Sequence, residues 1–223
     1  MWELHQFALC PFSRKVRLML GEKGVGYTLM TERPWERRDE FVDLNPTSQT
    51  PVMVDPERNI QLIDSSVICE YLEETVDRAQ MINGTAINRA EIRRLAIWFD
   101  TQFFREVTEL LLGERMIKRI VTKAGPDARM LRQAMRAAVE CLDYTDYLLG
   151  RHNWMAGATL SLADLAAAAQ ISVADYLGGI DWKNHDQTAR WYRGFKSRPS
   201  FRPLLSERME GIAPAPHYAD VDF

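Results

Sequence analysis

The sequence predicts an α/β domain followed by an all-α domain. Short β-type runs alternate with helical ones up to about residue 77, and helical periodicity alone runs from Asn88 onward. Of the 223 residues 46% are hydrophobic, enough for a core in each half.

The elements follow in order. "MWELHQF" reads as a strand and "PFSRKVRLMLGEKG" as a helix stopped by Gly24, after which "GYTLMTE" reads as a second strand. These make a βαβ unit. "RPWERRDEFVDLNPTSQT" has no apolar periodicity and reads as loop. "PVMVD" and "IQLID" form a hairpin around the turn-forming "PERN", and the helix "SSVICEYLEETV" follows with Val67, Ile68, Tyr71 and Leu72 on one face. Strand, helix, strand, hairpin and helix is the order of a thioredoxin-like domain. The later segments "NRAEIRRLAIWFDTQFFREVTELLLGERMIKRIV" and "PDARMLRQAMRAAVECLDYTDYLLG" are long helices, the latter with Pro126 in its first turn. In "SLAD", Ser161 as N-cap and Asp164 at N3 form a capping-box variant before an apolar helix. The predicted boundaries are 1–76 for the first domain, 77–87 for a linker, 88–210 for the helical domain and 211–223 for a tail poor in regular structure.

Charge and cysteine usage exclude several classes. A net charge of −3 from 31 acidic and 28 basic side chains argues against a nucleic-acid surface. The runs "ERRDE" and "EIRRL" mix both signs and read as solvated helix faces. No segment approaches the ~18 consecutive apolar residues of a membrane span, and "MWELHQF" lacks a secretory pattern, so a cytoplasmic protein is expected. Cys10, Cys69 and Cys141 are odd in number and far apart, which argues against a disulfide framework or a clustered metal site.

Candidate chemistry gathers in the first domain. Cys10 falls at a helix N-cap with Pro11 at N1, where the positive helix end favours a thiolate and Arg14 and Lys15 add charge one turn away. The other reading is a small residue that fits a tight turn. Pro51 stands where a cis proline would expose backbone to a peptide-like ligand, or it simply opens a strand. Asp64, Ser65 and Ser66 precede a helix, where they either hold a carboxylate or cap the helix.

The pieces "CPFSRKVR", "NPTSQTPVMVD", "IDSSVICEYLEE" and "MAGATLSLADLAAAA" together resemble the glutathione transferase superfamily over essentially the whole chain. The resemblance implies a thioredoxin-like domain with an all-α partner domain. It also implies a glutathione pocket made of Cys10, Phe12, Gln49, Thr50, Pro51, Asp64 and Ser65, with Cys10 as the thiol that bonds glutathione. Two positions depart from the family pattern: neutral Gln49 stands where a basic residue is usual, and Asp64 where a longer Glu or Gln is usual. Losing one charge-assisted contact and stretching another costs about two orders of magnitude in affinity.

A narrower likeness lies in "NRAEIRRLAIWFDTQFFREVT", "WYRGFKSRPSFRPLL" and "HYADVDF", which are similar to the FtsZ-localised protein A group of alphaproteobacteria. That likeness implies a cytoplasmic homodimer at the division site, built between the small domain of one subunit and the first long helices of the other. It implies binding and bending of FtsZ polymers without catalysis, cofactor or metal. Trp35 in a charged stretch is then either a solvent-facing anchor beside the cleft or an indole folded back on its domain. The tail "APAPHYADVDF", with Tyr218, Asp220, Asp222 and Phe223, is either a docking peptide or packed on its own helices. The competing expectation is a glutathione-dependent thiol transferase or reductase that uses Cys10.

Overall fold

The computed structural model describes residues 1–221, so the expectations for Asp222 and Phe223 lie outside the described residues. The chain divides into two units, Met1–Gln80 and Met81–Phe223.

In the first unit β1 (Trp2–Gln6) leads to α1 (Pro11–Lys23), β2 (Tyr27–Thr31), α2 (Asp39–Leu44), β3 (Val52–Asp55), β4 (Ile60–Ile63) and α3 (Ser65–Thr75). The sheet order is β2-β1-β3-β4. β1 pairs parallel with β2 and antiparallel with β3, and β3 pairs antiparallel with β4. Leu4, Val16, Leu20, Val52, Ile68 and Leu72 are withdrawn from solvent between sheet and helices. Gly24 ends α1 at φ 64°, where its N–H and that of Val25 return to carbonyls of the last turn.

Two local expectations change. The stretch read as loop contains a 3-10 turn at Pro34–Glu36 and the short α2. A single apolar anchor holds α2: Phe41 is buried and stacks on His5 at 5.8 Å, so no periodicity was there to read. The apolar face of α3 is rotated by about a residue: Ile68, Cys69 and Leu72 are buried while Val67 is 51% exposed. The basic side chains of α1 are buried. Arg14 donates from Nε to the Ala8 carbonyl at 2.8 Å, and Lys23 donates from Nζ to the carbonyls of Val76 and Arg78 while pairing with Glu73.

The second unit is helical. α4 (Ala86–Trp98) continues without a break through a wide-turn stretch Phe99–Thr108, α5 (Glu109–Leu112) and a second wide-turn stretch Gly113–Thr122. The wide turns close bonds between residues five apart, such as Glu109 N–H to the Phe104 carbonyl. α4 begins inside the expected linker, where Thr85 and Asn88 form a capping box. α6 (Ala128–Leu149) starts after Pro126, not over it. Asp127 is its N-cap and accepts from the N–H groups of Arg129 and Met130.

α7 (Leu162–Tyr176) is buried at every residue, and α8 (Asp186–Lys196) and α9 (Arg202–Ser206) follow. The capping box Ser161/Asp164 is present at the start of α7. Cys69 and Cys141 are buried thiols outside any disulfide, and burial, aided by the charges of Glu106 and Glu140, pushes the Cys141 thiol up to about 12. Among the described residues no helix is long and apolar enough to cross a membrane.

Candidate functional site: the cleft of the first unit and the C-terminal tail

The strand-to-helix turn after β1 places Cys10 at the N-cap of α1, with Pro11 at the first helical position. Its thiol is half-buried and donates to the Thr50 carbonyl at 3.4 Å. The Thr50–Pro51 peptide bond is cis. Beside it lies a cleft of about 410 Å³ that Phe12, Gln49, Thr50, Pro51, Asp64 and Ser65 help to line, so six of the seven expected pocket residues share one concavity. Cys10 is not among the lining residues and reaches Thr50 through its thiol.

Asp64 is committed to its own helix. Its carboxylate accepts from the N–H groups of Ser66 at 2.6 Å and Val67 at 3.4 Å, and so caps α3. Its backbone sits at φ 80° and ψ 135°, a region that side-chain-bearing residues enter at a cost of about 1–3 kcal/mol and that recurs at ligand clamps. Ser65 is buried and the side chain of Gln49 is exposed. Among the described lining residues Asp64 carries the only charge.

Sequence reading missed Asn45, which builds this wall. It accepts from the Thr47 N–H at 3.2 Å and donates to the Gln49 carbonyl at 2.9 Å. Asn-Pro-Thr is a recognisable turn signal, and it was the available clue.

Trp35 is half-buried on the 3-10 turn and meets Phe7 edge-on at a centroid distance of 5.2 Å. One part of the indole is packed on its domain and the rest remains accessible.

The tail is not a loose peptide up to residue 220. The Ala215 N–H donates to the Tyr176 carbonyl, and the Tyr176 hydroxyl donates to the Ile212 carbonyl. Lys196, wholly buried, donates to the carbonyls of His217 and Asp220. Tyr218 corrects its expected role: it is 0% exposed, packs edge-on against Tyr176 and donates to the Leu204 carbonyl, so it serves the core and not a partner. Asp220 is exposed.

Beneath the tail, the fully buried Asp175 accepts from Trp182 Nε1 at 3.0 Å and meets His217 Nε2 at 2.7 Å. This contact raises His217 above its ordinary 6.5, with burial and the Lys196 charge opposing. The protonated ring is therefore favoured in the docked tail. That stabilisation is fully present below about pH 6.5 and is lost as pH rises through the raised value. His217→Gln is expected to remove this decline, seen as a flatter urea midpoint above pH 6.5. Parallel midpoint curves for the two proteins would refute it.

Comparison with known proteins agrees with this architecture. The family model described as the glutathione S-transferase N-terminal domain matches residues 9–75. FtsZ-localized protein A of Caulobacter vibrioides (strain NA1000 / CB15N) is 45% identical over 222 residues, covering 99% of this chain and 97% of that protein. The solved structure of FzlA from C. crescentus superposes with a TM-score of 0.96 at 44% identity, covering 100% of this chain and 99% of that one. A glutathione S-transferase from Rhodospirillum rubrum F11 superposes with a TM-score of 0.97 at 42% identity, covering 100% of both chains. With the thioredoxin-like sheet, the cis proline and the all-helical second unit, these likenesses place the chain in the glutathione S-transferase superfamily, where it belongs to the FtsZ-localized protein A family.

Proposed function

We propose that the protein is a non-catalytic, glutathione transferase-like cell-division protein that binds FtsZ polymers and modulates their curvature during constriction. In this reading it acts in the cytoplasm at the division site, as a homodimer and without a cofactor. The observation that carries the reading is the 45% identity, over nearly the full length of both chains, to a protein named for its localisation with FtsZ. Fold alone would not distinguish it from a transferase.

The cleft chemistry supports the same side. Glutathione brings two carboxylates and one ammonium, and the charged group lining the cleft is a carboxylate already spent on capping α3. The Thr50 carbonyl, beside the cis proline, accepts from the Cys10 thiol. Among the described residues, Trp35 and Asp220 are the candidate partner contacts that retain accessible surface, and Trp is enriched among interface anchors. The placement of Cys10 at a helix N-terminus favours the second reading, a glutathione-dependent thiol transferase or reductase.

Co-sedimentation with polymerised FtsZ, run beside a calorimetric glutathione titration, separates the two. Wild type and Cys10→Ser are expected to pellet equally, because an interface needs the turn and not the thiolate. Trp35→Ala should weaken pelleting by about 30-fold, or ~2 kcal/mol, with unchanged melting. Glutathione should give no saturable heat in the micromolar range. Micromolar glutathione binding together with lost pelleting by folded Cys10→Ser would return the protein to thiol chemistry.

A further inference from the structure

We infer that Glu32 is a positioning residue for the Trp35 contact: a buried carboxylate that closes the turn over residues 33–37 and holds the indole in place before a partner arrives. The inference deepens the FtsZ-binding reading and rests on it.

The turn has little of its own to hold it. None of Arg33, Pro34, Trp35, Glu36 and Arg37 is buried, and Arg37 sits at φ 46° and ψ 47°, the left-handed region that favours glycine. Its closure comes from the two residues that flank it. Arg38 donates from Nη2 to Glu32 Oε1 at 3.0 Å and to Oε2 at 3.3 Å, and from Nε to Oε2 at 3.4 Å, so a guanidinium fork joins the far end of the turn to its near end. On its other side Glu32 is fixed to the sheet. Its Oε1 meets His5 Nδ1 at 2.8 Å, and its N–H donates to the Gln6 carbonyl at 2.8 Å. His5 is itself buried and stacked on Phe41. The Ser48 hydroxyl adds a tie to the Pro34 carbonyl at 3.2 Å, and Arg33 pairs with Glu36 across the turn at 3.0 Å.

Stability alone is a poor account of this arrangement. A buried charge pair gains little over well-packed apolar groups, and its best-attested use is to select one arrangement among several. What is selected here is the place of Trp35, the aromatic residue of the turn, which rests its edge on Phe7. An indole fixed beforehand loses less freedom on binding, which is how a surface residue becomes an effective anchor. Glu32 is 3% exposed, so it acts through Trp35 and not by touching the partner.

The experiment is FtsZ polymer pelleting by Glu32→Gln and Arg38→Ala, each alone and each combined with Trp35→Ala. Glu32→Gln keeps the side chain's shape and removes its charge. Arg38→Ala starts from a side chain 53% exposed, so it opens the closure without opening the core. Each single variant is expected to melt as wild type and to bind about three- to tenfold more weakly, the factor that releasing one ordered side chain implies. Neither should weaken Trp35→Ala further. In protein labelled with fluorotryptophan, the fluorine resonance that Trp35→Phe removes should shift in both variants. Wild-type pelleting by Glu32→Gln and Arg38→Ala, with Trp35→Ala weakened, would overturn the inference and leave the FtsZ reading standing. An undiminished further loss on the Trp35→Ala background would overturn it too, since the residues would then act separately. So would an unmoved Trp35 resonance. Wild-type pelleting by Trp35→Ala would sink the FtsZ contact at this turn, and the inference with it.

Discussion

Replacing Asp164 by alanine is expected to cost about 3–5 kcal/mol of folding stability, a large part of the roughly 5–15 kcal/mol available to a domain. The carboxylate is fully buried and accepts from four donors: the Met155 N–H, the Ser161 N–H, the Ser161 hydroxyl and Trp191 Nε1. Truncation strands all four without water. Burial raises Asp164 from 3.8 to about 6, the four donors opposing, so the group is mainly ionised at neutral pH. Between those values the folded state holds more protons than the unfolded one, so this group's contribution falls as pH rises from about 4 to about 6. Urea unfolding at pH 7 measures the loss, and the difference between wild type and Asp164→Asn across pH 4–6 isolates the titration. A loss below about 1 kcal/mol would show that the capping box is incidental to the second unit.

The second large effect is expected from Asp175→Ala. It removes the carboxylate that His217 and Trp182 share and leaves the buried Lys196 ammonium, 3.9 Å away, without its counter-charge. Breaking such a pair from one side costs about 3–5 kcal/mol. Lys196 is already lowered to about 8 by burial, with Asp175 and Asp220 opposing, so the variant can shed the charge and the lower end of that range is expected. The tail should loosen before the unit unfolds. Arg208 is exposed, and the next N–H, that of Met209, donates to the Tyr176 hydroxyl, so tryptic release of the tail reports undocking directly. Faster cleavage in Asp175→Ala than in wild type, partly reversed in Asp175→Ala/Lys196→Met, is the expected pattern. Equal cleavage of all three proteins would mean that the tail is held by its apolar contacts alone.

What could be read from the chain follows the range of the interactions involved. β1, α1 with its proline start and glycine stop, the β3–β4 hairpin and the Ser161/Asp164 box rest on neighbours a few residues away, and each was legible. The burial of Lys23 and Lys196 was not legible, because their acceptors, the carbonyls of Val76, Arg78, His217 and Asp220, are more than twenty residues distant. The same distance hid the burial of Tyr218 under Tyr176. Around the cleft, Cys10, Pro51 and Asp64 were found from turn and cap chemistry, but the commitment of Asp64 to its own helix was one of two open readings. Only geometry chose between them.

Lys196 grips the tail by main-chain oxygens, and an amide oxygen is the same whatever side chain follows it. The exposed position Ala219 can therefore drift through evolution without breaking that grip. Such an anchor separates the address from the message. One lineage can retune the outward chemistry of the last turn toward a changing partner while its seat on the helical unit is inherited unchanged.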